Sequence, residues 1–470
     1  MADLSALVPE MLLVGMALAL ILTARRIQRT PVAPAGTVLA ALAAVWAAGW
    51  VLSAPARTAF GGMIVLDSYS QFFKVVITAT LAITVLLSTD SPDGDQVPRA
   101  EYHSLLLLAA TGMMFAVSAR DLLPLYLGLE LMTVCSIILV GIRVERLIAN
   151  EAAIKYFLLG SFASALLIYG ISLTYGATRS TDYAAIALAL SQHGENRNLL
   201  LLTAVGLVGA GLAFKIAAVP LHAWAPDAYQ GASTPVAAFL ASGSKAVGLA
   251  ALGRVSLAAY GSEAPAVSVM LAGFAGLSIV VGSIVALAQT DMKRLLAYSS
   301  IAHAGYALLG LVGGGPQGAS ATMTYAFFYV FMTLGAFGVV AALGERGEKL
   351  SGFQGLGAQR PGMAILMLVF LMSLSGIPPT AGFSAKFVVI LSLVRAGHLT
   401  LAVLAAACSV VSAFVYLRVA VLMYMNAPQQ PAPSRFAIPV FAALAVAAAV
   451  TLIGGVSPGS VARWVVAPGP

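Results

Sequence analysis

Charge is what this sequence has least of. Only 9% of its 470 residues are Asp, Glu, Lys or Arg, against about 25% in an ordinary soluble domain. So few charges cannot clothe a water-facing surface. Cysteine is almost absent: Cys135 and Cys408 both lie in apolar runs, and no Cys-x-x-Cys occurs. That argues against an iron–sulfur cluster or a zinc ribbon on this chain. The five histidines are scattered without a His-x-x-x-His pair. The cluster Gly313-Gly314-Gly315 stands before Pro316 with no strand leading into it, which argues against a phosphate loop. The net charge of +7 is not gathered on a basic face or tail. It sits in short loops between apolar runs, so the expected surroundings are the lipid bilayer and not nucleic acid.

What fills the chain instead is apolar sequence, 60% of it. A membrane-spanning helix needs about 20 such residues. About fourteen runs qualify, near 4–24, 33–53, 67–88, 103–119, 122–142, 150–175, 199–230, 232–254, 264–288, 294–313, 319–344, 362–393, 398–425 and 435–456. The expected fold is an all-α integral membrane protein. The seventh run, interrupted by Pro220 and Pro226, and the twelfth, interrupted by Gly376, Pro378, Pro379 and Gly382, are too long for one straight helix. Broken helices survive in lipid only where the freed backbone groups face protein or a wet cavity. Loops after odd-numbered spans carry Arg25, Arg26, Arg29, Arg99, Arg143, Arg146, Lys293, Arg294, Arg346, Lys349, Arg360 and Arg435. The other side has Arg57, Arg120, Arg179, Arg197, Arg254, Arg395 and Arg463. The richer side is cytoplasmic by the positive-inside rule, which places both termini on the periplasmic side.

Spacing also points to an internal repeat. Gly211-Leu-Ala-Phe-Lys215 is matched by Gly382-Phe-Ser-Ala-Lys386, and Asp121 before the fifth span by Asp291 before the tenth. Five spans separate the copies, and an odd number inverts them, so spans 4–8 and 9–13 are expected to form inverted repeats. The expected organisation is a three-span segment (1–100), an input half-channel (101–259), an inverted output half-channel (260–425) and a last span with its tail (426–470).

Six basic residues fall inside the spans: Lys74, Lys155, Lys215, Lys245, Lys386 and Arg418. Five of the seven lysines are there, against one of the eighteen arginines. Arginine keeps its proton, whereas a desolvated lysine can give its proton up near neutrality. Lys215, Lys245 and Lys386 lie deepest and read as proton carriers. Lys155 reads equally as carrier or as interfacial residue, while Lys74 and Arg418 are expected to reach the interface. Glu130 is the acid near the middle of a span; Glu10 lies nearer an end. His303 holds the repeat position that answers to Glu130, with serines around it, and reads as a relay group.

These residues sit in motifs that carry a resemblance. Lys215 with Pro220-Leu-His222-Ala-Trp224-Ala-Pro-Asp227, Ser242-Gly-Ser-Lys245, and Gly376-Ile-Pro-Pro-Thr-Ala-Gly-Phe-Ser-Ala-Lys386 resemble the proton-conducting motifs of antiporter-like membrane subunits. Asp67-Ser-Tyr-Ser-Gln-Phe-Phe, Tyr126-Leu-Gly-Leu-Glu130-Leu, Asn150-Glu-Ala-Ala-Ile-Lys155-Tyr-Phe and Gln289-Thr-Asp-Met-Lys-Arg are similar to blocks of those subunits in respiratory complex I, the proton-pumping NADH–quinone oxidoreductase. The resemblance implies that Glu130 pairs with Lys155 or Lys215, that Lys245 links the halves, and that Lys386 ends the output half. It implies no cofactor in this chain, with flavin, iron–sulfur clusters and quinone on partner subunits. The implied partners are other membrane-arm subunits, antiporter-like homologues among them, in a bacterial inner membrane. A subunit of a multisubunit sodium/proton antiporter is the alternative.

Overall fold

The computed structural model describes residues 2–27, 30–52, 56–89, 97–192, 199–261, 265–428 and 437–457. Arg29, Arg197, Arg435 and Arg463, used above to orient the chain, lie outside them. The first helices are α1 (Ala2–Ser5), α2 (Val8–Ile27) and α3 (Val32–Leu52). A short antiparallel hairpin, β1 (Arg57–Ala59) and β2 (Ile64–Leu66), precedes α4 (Ser68–Ser88). The apolar periodicity gave no sign of this hairpin, whose strands have three residues each.

The next helices are α5 (Arg99–Ser118), α6 (Leu122–Val140), α7 (Leu147–Thr178), α8 (Tyr183–Gln192), α9 (Leu199–Lys215), α10 (Trp224–Gly231), α11 (Thr234–Phe239) and α12 (Lys245–Arg254). A π-helical turn, Leu240–Ser244, joins α11 to α12, and another, Val255–Ala259, follows α12. The chain continues through α13 (Pro265–Leu287), α14 (Met292–Val312), α15 (Gly315–Leu343), α16 (Leu356–Gln359), α17 (Pro361–Ser375), α18 (Ala381–Arg395), α19 (Leu399–Met425) and α20 (Ile438–Val456). Twelve described segments are long and apolar enough to span a membrane. Two broken spans, α9 with α10 and α17 with α18, complete the fourteen.

The two halves repeat each other in detail. Asp121 caps α6 by accepting from Leu123 N–H at 2.8 Å, and Asp291 caps α14 by accepting from Arg294 N–H at 2.9 Å. Each cap also forms a β-bridge to the loop that follows the next span but one in the chain, Asp121 with Asp182 and Asp291 with Lys349. The crossings of α5 with α6 and of α13 with α14 both depend on glycine. A Cβ on Gly112 would lie 2.6 Å from the Gly128 carbonyl oxygen, and one on Gly282 would lie 2.5 Å from Ala302 N. Helices in lipid gain their attraction from such close backbone approach. At the centre, the segment Thr234–Ala259 is buried over nearly all its length and α14 almost as fully, while α2, α3, α7, α13, α19 and α20 present broad apolar faces outward.

Candidate proton-conducting row

Each ionisable group of the candidate site stands on a different span: Glu130 on α6, Lys215 on α9, Lys245 on α12, His303 on α14 and Lys386 on α18. Lys215 is the last residue of α9, where the helix stops ahead of Pro220. Several of the backbone groups freed there find partners. Ala217 N–H and Ala218 N–H close back on Phe214 and Ala213, the Trp224 indole donates to the Phe214 carbonyl at 3.0 Å, and Val219 N–H donates to Ser278 Oγ at 2.9 Å. The buried ammonium of Lys215 lies 3.0 Å from Glu130 Oε1 and donates to Thr133 Oγ1 at 2.7 Å. Ser164 donates to the same carboxylate oxygen. Glu130 is the more accessible partner, 25% exposed against 1% for the lysine.

Lys386 reaches its place from the other side of a break. Gly376, at φ +83°, ends α17, and Gly382 N–H docks on Ser373 Oγ at 3.0 Å. The Lys386 side chain then folds back, donating to the carbonyls of Leu374 at 3.1 Å and Ser375 at 3.0 Å, and to Ser409 Oγ at 3.0 Å. These carbonyls are the C-terminal, negative end of α17, which favours a cation. The ammonium also sits 4.7 Å from the centre of the Tyr306 ring. Lys215 precedes its break and Lys386 follows its own, so the shared glycine-to-lysine spacing is not what the two have in common. Each lysine stands beside the C-terminus of a half-helix, Lys215 as the last residue of α9 and Lys386 with its ammonium on the last carbonyls of α17.

Between them lie Lys245 and His303. Lys245 follows the π-helical turn, is fully buried, and donates to Ser300 Oγ at 2.7 Å. His303 is held on both sides: Nδ1 is 2.6 Å from the Tyr325 hydroxyl and Nε2 is 3.4 Å from the Tyr416 hydroxyl, which also bonds Ser299. Its ring stacks on Tyr329. No carboxylate pairs with Lys245 or Lys386 among the described residues. The row is thus one ion pair followed by two lysines and a histidine held by hydroxyls, carbonyls and rings.

Lys155 is not brought into this row. It is 46% exposed and pairs with Glu151 at 2.7 Å and Asp227 at 3.0 Å; Asp227 also binds Arg294 at 2.7 Å. Of the two partners expected for Glu130, the structure selects Lys215. One further expectation needs correction, that for Lys74, while Arg418 lies at a span end as expected. Lys74 does not reach the interface: it is fully buried, 2.7 Å from Glu10 Oε1. Arg418 caps the end of α13, donating to the carbonyls of Leu287 at 2.8 Å and Gln289 at 2.7 Å. Nothing in the sequence singled out Thr133, Ser164, Tyr325 or Tyr416, because hydroxyls on apolar helices usually serve packing. Equal depth on the first and third spans was the available signal for Glu10 and Lys74.

A family model described as NADH:quinone oxidoreductase/Mrp antiporter, TM, matches residues 119–413. An NADH-quinone oxidoreductase subunit N from Desulfovibrio desulfuricans is 43% identical, over 99% of this chain and 96% of its own. A chain of respiratory complex I from Thermus thermophilus with bound aureothin is 34% identical with a TM-score of 0.85, covering 98% of this chain and 100% of the other. A chain of the Mrp complex from Dietzia sp. DQ12-45-1b has the same fold, with a TM-score of 0.84 at 20% identity over 97% of this chain and 96% of that one.

Proposed function

Because this chain belongs to the NADH:quinone oxidoreductase/Mrp antiporter transmembrane family, we propose that its row of buried ionisable groups translocates protons as part of the membrane arm of an NADH–quinone oxidoreductase. The chain is a multi-pass membrane subunit of the subunit N type. The observation that carries the reading is the row itself: Lys215, Lys245, His303 and Lys386 on four separate spans, each buried, with one carboxylate, Glu130, at one end.

The residues divide the work by their partners. Glu130, partly exposed, accepts a proton from the wetter side and passes it to Lys215 across the 3.0 Å contact. Lys245, with Ser300 as hydroxyl partner, receives charge at the membrane centre. His303 has a hydroxyl at each ring nitrogen, so it can take a proton on one nitrogen and release it from the other. Lys386 holds the last proton against the carbonyls of the broken twelfth span and releases it beyond. Each transfer changes the charge its neighbour feels, so loading one lysine discourages loading the next.

In this reading the chain is a non-redox translocase subunit. Flavin, iron–sulfur clusters and quinone belong to partner chains, antiporter-like homologues are among its neighbours, and both termini face the periplasm of a bacterial inner membrane. The alternative, a subunit of a sodium/proton antiporter, has the same fold in its favour. A sodium site asks for a cluster of oxygen ligands, whereas this row offers one carboxylate amid lysines and a histidine. Purification in mild detergent separates the two: flavin- and iron–sulfur-containing subunits should copurify, and quinone reduction should acidify vesicles made with the complex. Copurification with antiporter subunits alone, and sodium-driven proton movement, would overturn the proposal.

A further inference from the structure

The Glu10–Lys74 pair takes no part in the row. Glu10 lies in the first turn of α2 and Lys74 in the second turn of α4, and the two side chains are 2% and 0% exposed. Although their charged atoms are 2.7 Å apart, neither carboxylate oxygen nor the ammonium makes a well-formed hydrogen bond among the described residues. The contrast with Glu130 and Lys215 is direct, since Ser164 and Thr133 support that pair with hydroxyls. Buried ions are held by satisfying their remaining lone pairs and protons. A bare pair gains least from staying ionised, and one proton moved across the contact leaves a carboxylic acid beside an amine.

The pair has an approach. Gln71 precedes Lys74 by three residues on α4 and follows Asp67 by four, so the three share one helix face. Gln71 is buried, with neither its amide nitrogen nor its amide oxygen bonded. Asp67 forms part of the wall of a cleft of about 420 Å³ beside the hairpin, lined also by Arg57, Arg120, Tyr183 and Arg254. Thr78, buried on the same face, continues the stripe inward. A polar stripe leading from a cleft to an ionisable pair inside a membrane span is a functional arrangement by default.

We propose that Glu10 and Lys74 form a second proton-exchanging pair, outside the row, reached from the hairpin face past Asp67 and Gln71. The proposal rests on the proton-translocating reading given above. Lys74 gives its proton to Glu10, leaving an amine and a carboxylic acid. A proton arriving along water at the Gln71 amide re-protonates the amine, and the pair then holds one proton more than before. Ionisation of Glu10 returns that proton to the cleft and restores the ion pair.

The test uses the complete complex in vesicles, with Glu10→Gln, Lys74→Met, the double variant and Gln71→Leu. The double variant removes both charges at similar volume. It should assemble like wild type and lose part of the dependence of its turnover on pH at the hairpin face. Gln71→Leu should lose that dependence with the pair intact. A double variant with a wild-type pH profile, its two single variants being merely unstable, makes the pair a latch between α2 and α4 and overturns the proposal. Should the double variant fail to assemble, a wild-type pH profile in Gln71→Leu overturns it. Lys215→Ala separates the two readings: if that variant pumps normally, the row has failed. The pair is then judged by infrared difference spectra on quinone reduction, where a carboxyl band present in wild type must vanish in Glu10→Gln.

Discussion

At Lys215 the outcome turns on whether the proton can leave. The ammonium is closed in by Glu130 and Thr133, so Lys215→Ala removes the carrier, while Lys215→Arg keeps a charge that does not let go of its proton. Both variants should assemble and both should lower quinone-driven pumping by about tenfold or more, a barrier change of about 1.4 kcal/mol. Wild-type acidification rates in vesicles of either would sink the relay. Glu130→Gln should impair turnover more than Glu130→Asp, because the aspartate still offers the lysine an anion. Equal rates for the two would leave Glu130 with a packing role. Outside the spans, Asp67 holds Arg254 by two bonds of 2.8 and 2.9 Å. Burial pushes its carboxyl up, but the attraction and hydrogen bonds of Arg254, with Ser70, outweigh burial and hold it below the usual carboxylate value. A depressed value stabilises the fold above the ordinary carboxylate range, and the benefit is lost as pH falls through the lowered value. The melting temperature of the detergent-solubilised complex should therefore exceed that of Asp67→Asn near neutral pH. The gap should close below about pH 4; a constant gap would refute the assignment. At this scale the deep lysines were legible because lysine inside an apolar run is costly. The tyrosines around His303 were not, since only the packing of α15 and α19 against α14 makes them its partners.

At the scale of the element, the breaks place the two end lysines of the row. Proline and glycine in the seventh and twelfth runs announced both interruptions. The order of the residues also showed that Lys215 comes before its break and Lys386 after its own; what sequence did not disclose is which carbonyls and hydroxyls receive the two ammonium groups. The twelfth break rests on Gly376, whose φ of +83° suits glycine, and an added Cβ there would lie 2.9 Å from Lys386 Cδ. Gly376→Ala therefore meets two penalties, backbone strain and displacement of the lysine stem, together about 1–3 kcal/mol. The cheaper relief is to move the flexible lysine off the Leu374 and Ser375 carbonyls. The variant should insert and assemble but pump slowly. Gly362→Ala, at a position where an added Cβ meets nothing within 4 Å, should behave as wild type. Equal pumping by the two variants would show that Lys386 does not need its carbonyl cradle. The repeat was legible at this scale through Asp121 and Asp291, because a helix cap is a local device that survives inversion. The hairpin and the π-helical turn before Lys245 were not, since neither has a periodicity to betray it.

For the whole molecule, inversion of the repeat has a consequence for access. The first break leads into α10, whose Asp227 meets Lys155 near the start of α7 and Arg294 near the start of α14. The second break packs at the far end of α20, where an added Cβ on Gly455 would lie 2.0 Å from the Pro379 carbonyl oxygen. The sixth, tenth and fourteenth spans are α7, α14 and α20, all even-numbered, so they begin on the same face. The two breaks therefore lie nearer opposite faces, and if they admit water they should do so from opposite sides. Sequence alone would place labelling probes at Ala213, Ala381 and Ala385, but all three are sealed against protein. Ala223 and Pro379 are exposed break residues and are better sites. Cysteine at Ala223 should react with a small hydrophilic thiol reagent added from the side where α14 begins, and cysteine at Pro379 with reagent added from the other side. Cys135 and Cys408, both buried, should contribute little background. Pumping complexes labelled equally from both faces, or with the two preferences on one face, would mean that the breaks do not form opposed half-channels.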